Sequence, residues 1–155
     1  KLLSSNTGSD FEFGSSVDIS GDHAIVGSPR NNINGFNSGA AYVFSKIGID
    51  WIQEQFLQPN NGLPNDEFGK SVSISANYAA VGSQMKSSNG IEGGATFVFR
   101  NDGNSWSLQD TVFASDAENG DLFGAATAIF GHNVINGAFS KDDPIVSTCC
   151  AFSGV

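Results

Sequence analysis

The side chains best suited to chemistry are few and scattered. His23 and His132 are the only histidines, the natural proton carriers near neutral pH. They stand beside equivalent hairpins, one residue out of register. Neither has a nucleophile and an acid placed with it in a recognisable constellation, so both read as exposed turn residues. Serine is abundant, yet no Gly-x-Ser-x-Gly elbow occurs. Gly93-Gly94 leads into a strand and not into a helix, so it is no phosphate loop. Cys149 and Cys150 are adjacent, a spacing wrong for zinc and strained for a mutual disulfide. They read as small buried residues. Three acidic pairs remain: Asp10 with Glu12, Asp66 with Glu67, and Glu118 with Asp121. Each could turn oxygens toward a cation, but turn and capping hydrogen bonds explain them better. No catalytic residue, metal site or cofactor is expected.

Composition narrows the partners. The 155 residues carry 16 acidic and 7 basic side chains, for a net charge of −9. A nucleic-acid surface needs clustered Lys and Arg, which are missing here. An anionic membrane is disfavoured for the same reason, and no apolar run reaches the length of a membrane span. Nineteen glycines and 13 phenylalanines point to short strands, tight turns and a core rich in aromatic side chains. The chain opens on Lys1-Leu2-Leu3 without a signal peptide, as a processed secreted chain or an expressed fragment would.

The elements that position these residues recur every 55 residues. Phe13-Gly14, Phe68-Gly69 and Phe123-Gly124 keep that spacing, as do Gly27, Gly82 and Gly137, and Trp51 with Trp106. Gly39-Ala40-Ala41-Tyr42-Val43-Phe44 returns as Gly94-Ala95-Thr96-Phe97-Val98-Phe99. Each copy predicts four strands. The first alternates, as in Ser16–Ser20 and Ser71–Ser75. The second is nearly continuous apolar sequence: Ala24–Gly27, Ala79–Gly82 and Val134–Gly137. An aromatic third strand follows at Ala41–Phe44 and Thr96–Phe99, and a fourth starts at each Trp. The Phe-Gly and Trp positions are expected in the core, between neighbouring sheets.

This ordered set of motifs, Phe-Gly-x-x-Val-x-Ile-Ser, Val-Gly-Ser-Pro at Val26–Pro29, Gly-Ala-Ala-Tyr-Val-Phe and then Trp, resembles the FG-GAP repeat of integrin-α-like β-propellers. The resemblance covers essentially the whole chain. It implies one four-stranded antiparallel blade per repeat and an extracellular or cell-surface setting. The family's calcium-binding members carry an acidic loop between the first two strands. Here that place holds Ser20-Gly21-Asp22-His23, Ser75-Ala76-Asn77-Tyr78 and Phe130-Gly131-His132-Asn133, which read as hairpin turns without calcium.

The expected fold is therefore all-β: one repeat domain, 1–155, of three propeller-type blades in an open arrangement. The repeats run about 1–55, 56–110 and 111–155, the last incomplete. Propellers normally close with about four to eight blades. Lys1-Leu2-Leu3 aligns with Phe56-Leu57-Gln58 and Thr111-Val112-Phe113, the end of a fourth strand. At the other end the sequence stops before any third Trp strand. Lys1, Leu2, Leu3, Ser4 and Ser5 thus form a candidate assembly strand. Cys149, Cys150, Ala151, Phe152 and Ser153 form a candidate open edge that could receive such a strand. The expected partner is a second copy of the chain, joined head to tail into an oligomer or filament. The alternative is a piece of a larger adhesion propeller, binding protein or glycan through loops such as Arg30–Ser38 and Gln84–Gly93.

Overall fold

The computed structural model describes residues 1–6 and 11–140. Alternation and apolar runs become strands where the sequence places them. In chain order these are β1 (Val17–Ser20), β2 (His23–Ser28), β3 (Ala40–Ile47), β4 (Asp50–Leu57), β5 (Phe68–Ser75), β6 (Tyr78–Ser83), β7 (Ala95–Asn101), β8 (Trp106–Val112), β9 (Ala126–Phe130) and β10 (Asn133–Gly137). Blade 1 is the sheet β1-β2-β3-β4 and blade 2 is β5-β6-β7-β8, while blade 3 shows the pair β9 and β10. Every pairing within a blade is antiparallel. The sheets are open, and none closes into a barrel.

Local chemistry explains the hairpins. β1 and β2 join through Gly21-Asp22, and Gly21 has φ +58°, as a tight hairpin turn requires. Ala76 takes the same left-handed conformation in blade 2 with φ 51°, at the cost of its Cβ. The pairing of the third and fourth strands slips at Val43/Phe44 and again at Val98/Phe99, one repeat apart. Such a bulge adds twist and keeps register fixed.

Each blade has two unlike faces. Its leading face meets the preceding blade and its trailing face meets the next. Between blades 1 and 2, Ile25, Ala41 and Val43 pack on Val72, Ile74, Val81, Phe97 and Phe99. Between blades 2 and 3, Tyr78, Ala80 and Val98 pack on Ile129 and Val134. Trp106 lies within the first of these cores. Trp51 is only partly buried, on the leading face of blade 1 beside Phe13 and Phe56. The cause is position: no described blade precedes blade 1.

Lys1–Ser5 contains no strand. Leu2 packs on the leading-face cluster of Ala24, Val26, Tyr42 and Phe44. Ser5 N–H donates to Gln53 Oε1 at 2.8 Å, and Gln53 Nε2 donates to Ser5 Oγ at 2.9 Å. The candidate open edge, Cys149 to Ser153, lies outside the described residues. Among the described residues no helix is long and apolar enough to cross a membrane.

Candidate functional site

The Phe-Gly pair is the coupling between blades. Phe68 N–H donates to the Ser38 carbonyl at 3.1 Å, and Phe123 N–H to the Gly93 carbonyl at 2.8 Å. Phe68 thereby forms a parallel bridge with Gly39, and Phe123 with Gly94. The backbone of one repeat is stitched to the loop of the repeat before it. Phe68 and Phe123 are fully buried, and the Phe68 ring meets Phe97 and Phe99 edge to face. Phe13 stands at the start of the series and remains half-buried.

Glycine is required where this stitch is tightest. Gly69 has φ +91°, and a Cβ there would lie 2.2 Å from the Ala40 carbonyl oxygen. A Cβ on Gly82 would lie 1.9 Å from the Gly124 oxygen of the next repeat. Both facts follow from sheets pressed together at their backbones.

Three side-chain hydrogen bonds recur at matching positions of the two junctions. Ser16 Oγ donates to the Gly69 carbonyl at 3.0 Å, and Ser71 Oγ to the Gly124 carbonyl at 2.8 Å. Ile74 N–H donates to Asp18 Oδ2 at 2.8 Å, and Ile129 N–H to Ser73 Oγ at 3.2 Å. Ala76 N–H donates to Ser20 Oγ at 3.0 Å, and Gly131 N–H to Ser75 Oγ at 3.1 Å. The alternating polar residues of the first strand are therefore acceptors and donors for the next blade. Their alternation was legible; this role was not.

The described members of the acidic pairs stand in structural bonds, while Asp10 lies outside the described residues. Asp66 Oδ2 accepts from Leu63 N–H at 2.8 Å, and Asp121 Oδ2 from Glu118 N–H at 2.8 Å. Asp66 also pairs with Lys86 Nζ at 2.8 Å, and that ammonium donates to the Asn61 carbonyl at 2.9 Å. Both side chains of this pair are 3% exposed. Glu12 pairs with Arg30 at the surface, 3.1 Å apart, an arrangement worth little in water. Glu67 accepts from Gln84. Among the described residues no group of three His, Cys, Asp or Glu side chains is placed to hold a metal.

His23 is partly buried at the start of a strand, whereas His132 is the exposed turn residue expected from the sequence. His23 opens β2, lies 3.4 Å from Glu54 and meets the Trp106 ring edge-on across the first junction. His132 meets Tyr78 edge-on across the second, with centroids 4.9 Å apart. Their rings supply junction packing that turn propensity could not reveal. Beside His23 an open groove of about 710 Å³ runs between blades 1 and 2, lined by Asp22, Asn77, Arg100 and Asp102 among others. Backbone N–H groups of Asn104 and Ser105 hold the Asp102 carboxyl below its ordinary value. In the core of blade 1, burial raises the Tyr42 phenol above its ordinary value, against hydrogen bonds with Asn6, Ser4 and Asn31 that lower it.

The ends of the stack differ from its interior. Val17 and Ile19 on the leading face of blade 1 are 66% and 61% exposed, whereas their counterparts Val72 and Ile74 are 7% and 4%. On the trailing face of blade 3, Phe130 is 83% and Ile135 is 60% exposed.

A stack of four-stranded sheets joined through Phe-Gly pairs defines the propeller-blade class of interaction domains. Residues 1–44, 51–99 and 106–148 each match the FG-GAP repeat, and the chain belongs to that family. Such repeats are typical of extracellular or surface proteins and are typically non-enzymatic. No curated protein matches the chain.

Proposed function

We propose that this is a non-enzymatic, extracellular structural module that associates head to tail with copies of itself. The observation that carries this reading is the position of Leu2. One and two repeats later, Leu57 and Val112 end a fourth strand and pack at the junction with the next blade. Leu2 takes the same place on blade 1. Lys1–Ser5 thus stands as the tail of a preceding blade whose other strands come from elsewhere. The third blade of a second copy would supply them. The N-terminal segment would complete that sheet while staying on its own blade 1, and a rotation that fails to close would give a filament.

Deleting Lys1–Asn6 tests this. Light scattering is expected to show concentration-dependent association for the whole chain and a stable monomer for the shortened one. A whole chain that stays monomeric at every concentration would overturn the reading.

A second reading rests on the groove beside His23. Its mixed carboxylate, guanidinium and amide lining suits a polar protein or glycan ligand, as in a piece of a larger adhesion propeller. In that case further repeats of a longer chain would cover the end faces.

A further inference from the structure

The trailing face of blade 3 has lost the polar pattern of both internal junctions. Ser16, Asp18 and Ser20 make crossing bonds at the first junction, and Ser71, Ser73 and Ser75 make their counterparts at the second. The same register places Ala126, Ala128 and Phe130 on blade 3. All three positions have become apolar together, and all three are exposed. A face that stays in water is normally polar, and this one is not: it sets the exposed Phe130 beside the exposed Ile135.

The leading face of blade 1 shows a matching change. Ile74 and Ile129 donate their N–H groups to the preceding blade. Ile19 N–H instead donates to its own Asp18 Oδ1, at 2.8 Å. At the Ile19 position blade 1 therefore asks for no acceptor where blade 3 offers none. Its apolar Val17 and Ile19 remain uncovered, on the face that in blade 2 is buried by blade 1.

We propose that the trailing face of blade 3, centred on Phe130 and Ile135, docks the leading face of blade 1 of a second copy around Val17 and Ile19. The contact keeps the stacking of the internal junctions and replaces their hydrogen bonds with apolar burial. It rests on the head-to-tail reading and adds which faces meet and by what chemistry. Burying two large apolar side chains on each partner without orphaning the Ile19 amide favours association. An internal-type blade placed there would leave its own amide unpaired. The chain thus discriminates between its own first blade and other repeats.

Two double variants test the proposal: Val17→Glu with Ile19→Glu, and Phe130→Glu with Ile135→Glu. All four residues are exposed, and circular dichroism checks that each variant keeps its sheet content. In analytical ultracentrifugation each variant alone is expected to be monomeric. An equimolar mixture is expected to give a 1:1 dimer, because each retains the face the other has lost. If the Val17/Ile19 variant still dimerises alone, blade 3 pairs with blade 3 and the proposal fails. If both variants associate like the unmodified chain, and only removal of Lys1–Asn6 stops association, self-assembly stands but these faces do not mediate it. If the unmodified chain is itself monomeric, the head-to-tail reading fails first.

Discussion

Gly82→Ala is expected to uncouple blade 3 from blade 2, at a cost of about 3 kcal/mol or more. The added methyl would sit 1.9 Å from the Gly124 oxygen and 2.3 Å from Ser71 Oγ. The first obstacle is backbone, held in place by the buried Phe123, so the sheets must separate to make room. Backbone torsion does not enter, because Gly82 has no left-handed φ. The third repeat supplies an internal control. At Gly137 the same methyl would meet nothing nearer than the Ala126 side chain at 3.5 Å. Gly137→Ala is therefore expected to be neutral or to stabilise by up to about 1 kcal/mol, through lower unfolded-state entropy. Urea denaturation followed by circular dichroism checks the pair. Because stability in a repeat stack is a sum over neighbours, Gly82→Ala should also split one transition into two. Equal effects at both glycines would contradict the junction described here.

Removing either member of the Asp66–Lys86 pair is the second large effect. The two charges lie 2.8 Å apart and are 3% exposed. Among the described residues, their desolvation is offset by each other, by Leu63 N–H and by the Asn61 carbonyl. Lys86→Met leaves a carboxylate buried beside one amide, and Asp66→Ala leaves an ammonium beside one carbonyl. Each is expected to cost about 3–5 kcal/mol. The double replacement Asp66→Leu with Lys86→Met removes both charges. It should recover most of that loss, since an apolar pair of similar volume is often as stable as the ion pair. Thermal melts of the three variants form the test. A double variant no better than the singles would show that Asp66 acts chiefly through its bond to Leu63.

The repeat carried most of the fold in plain view. Fixed spacing of Phe-Gly and of Gly27, Gly82 and Gly137 placed every described strand to within a few residues. The match of Leu2 with Leu57 and Val112 was likewise readable. What spacing could not give is which residues meet across a junction. Phe68 reaches back to Gly39, a contact that belongs to two repeats and appears in neither alone. Lys86 was invisible for a related reason. Its counterpart in the first copy is Asn31, whose amide donates to the Tyr42 hydroxyl, so no periodic charge marks the site. Asn136 replaces Val26 and Val81 in an otherwise apolar strand. Its Oδ1 accepts from Thr96 across the second junction at 2.7 Å and from Thr127 of its own blade at 2.9 Å. The change from Ser16, Asp18 and Ser20 to Ala126, Ala128 and Phe130 is written in the sequence. Its meaning depends on knowing which strand face the next blade covers, and only the stacking of the sheets supplies that.

The central claim is that copies of this chain join through the two faces left bare by the stack. Hydrogen exchange measured at rising protein concentration tests it most directly. The account predicts that amides of β1, Val17–Ser20, and of β9, Ala126–Phe130, gain protection together as concentration rises. Those of β6, Tyr78–Ser83, buried between blades throughout, should not change. Exchange in β1 and β9 that is independent of concentration would contradict it.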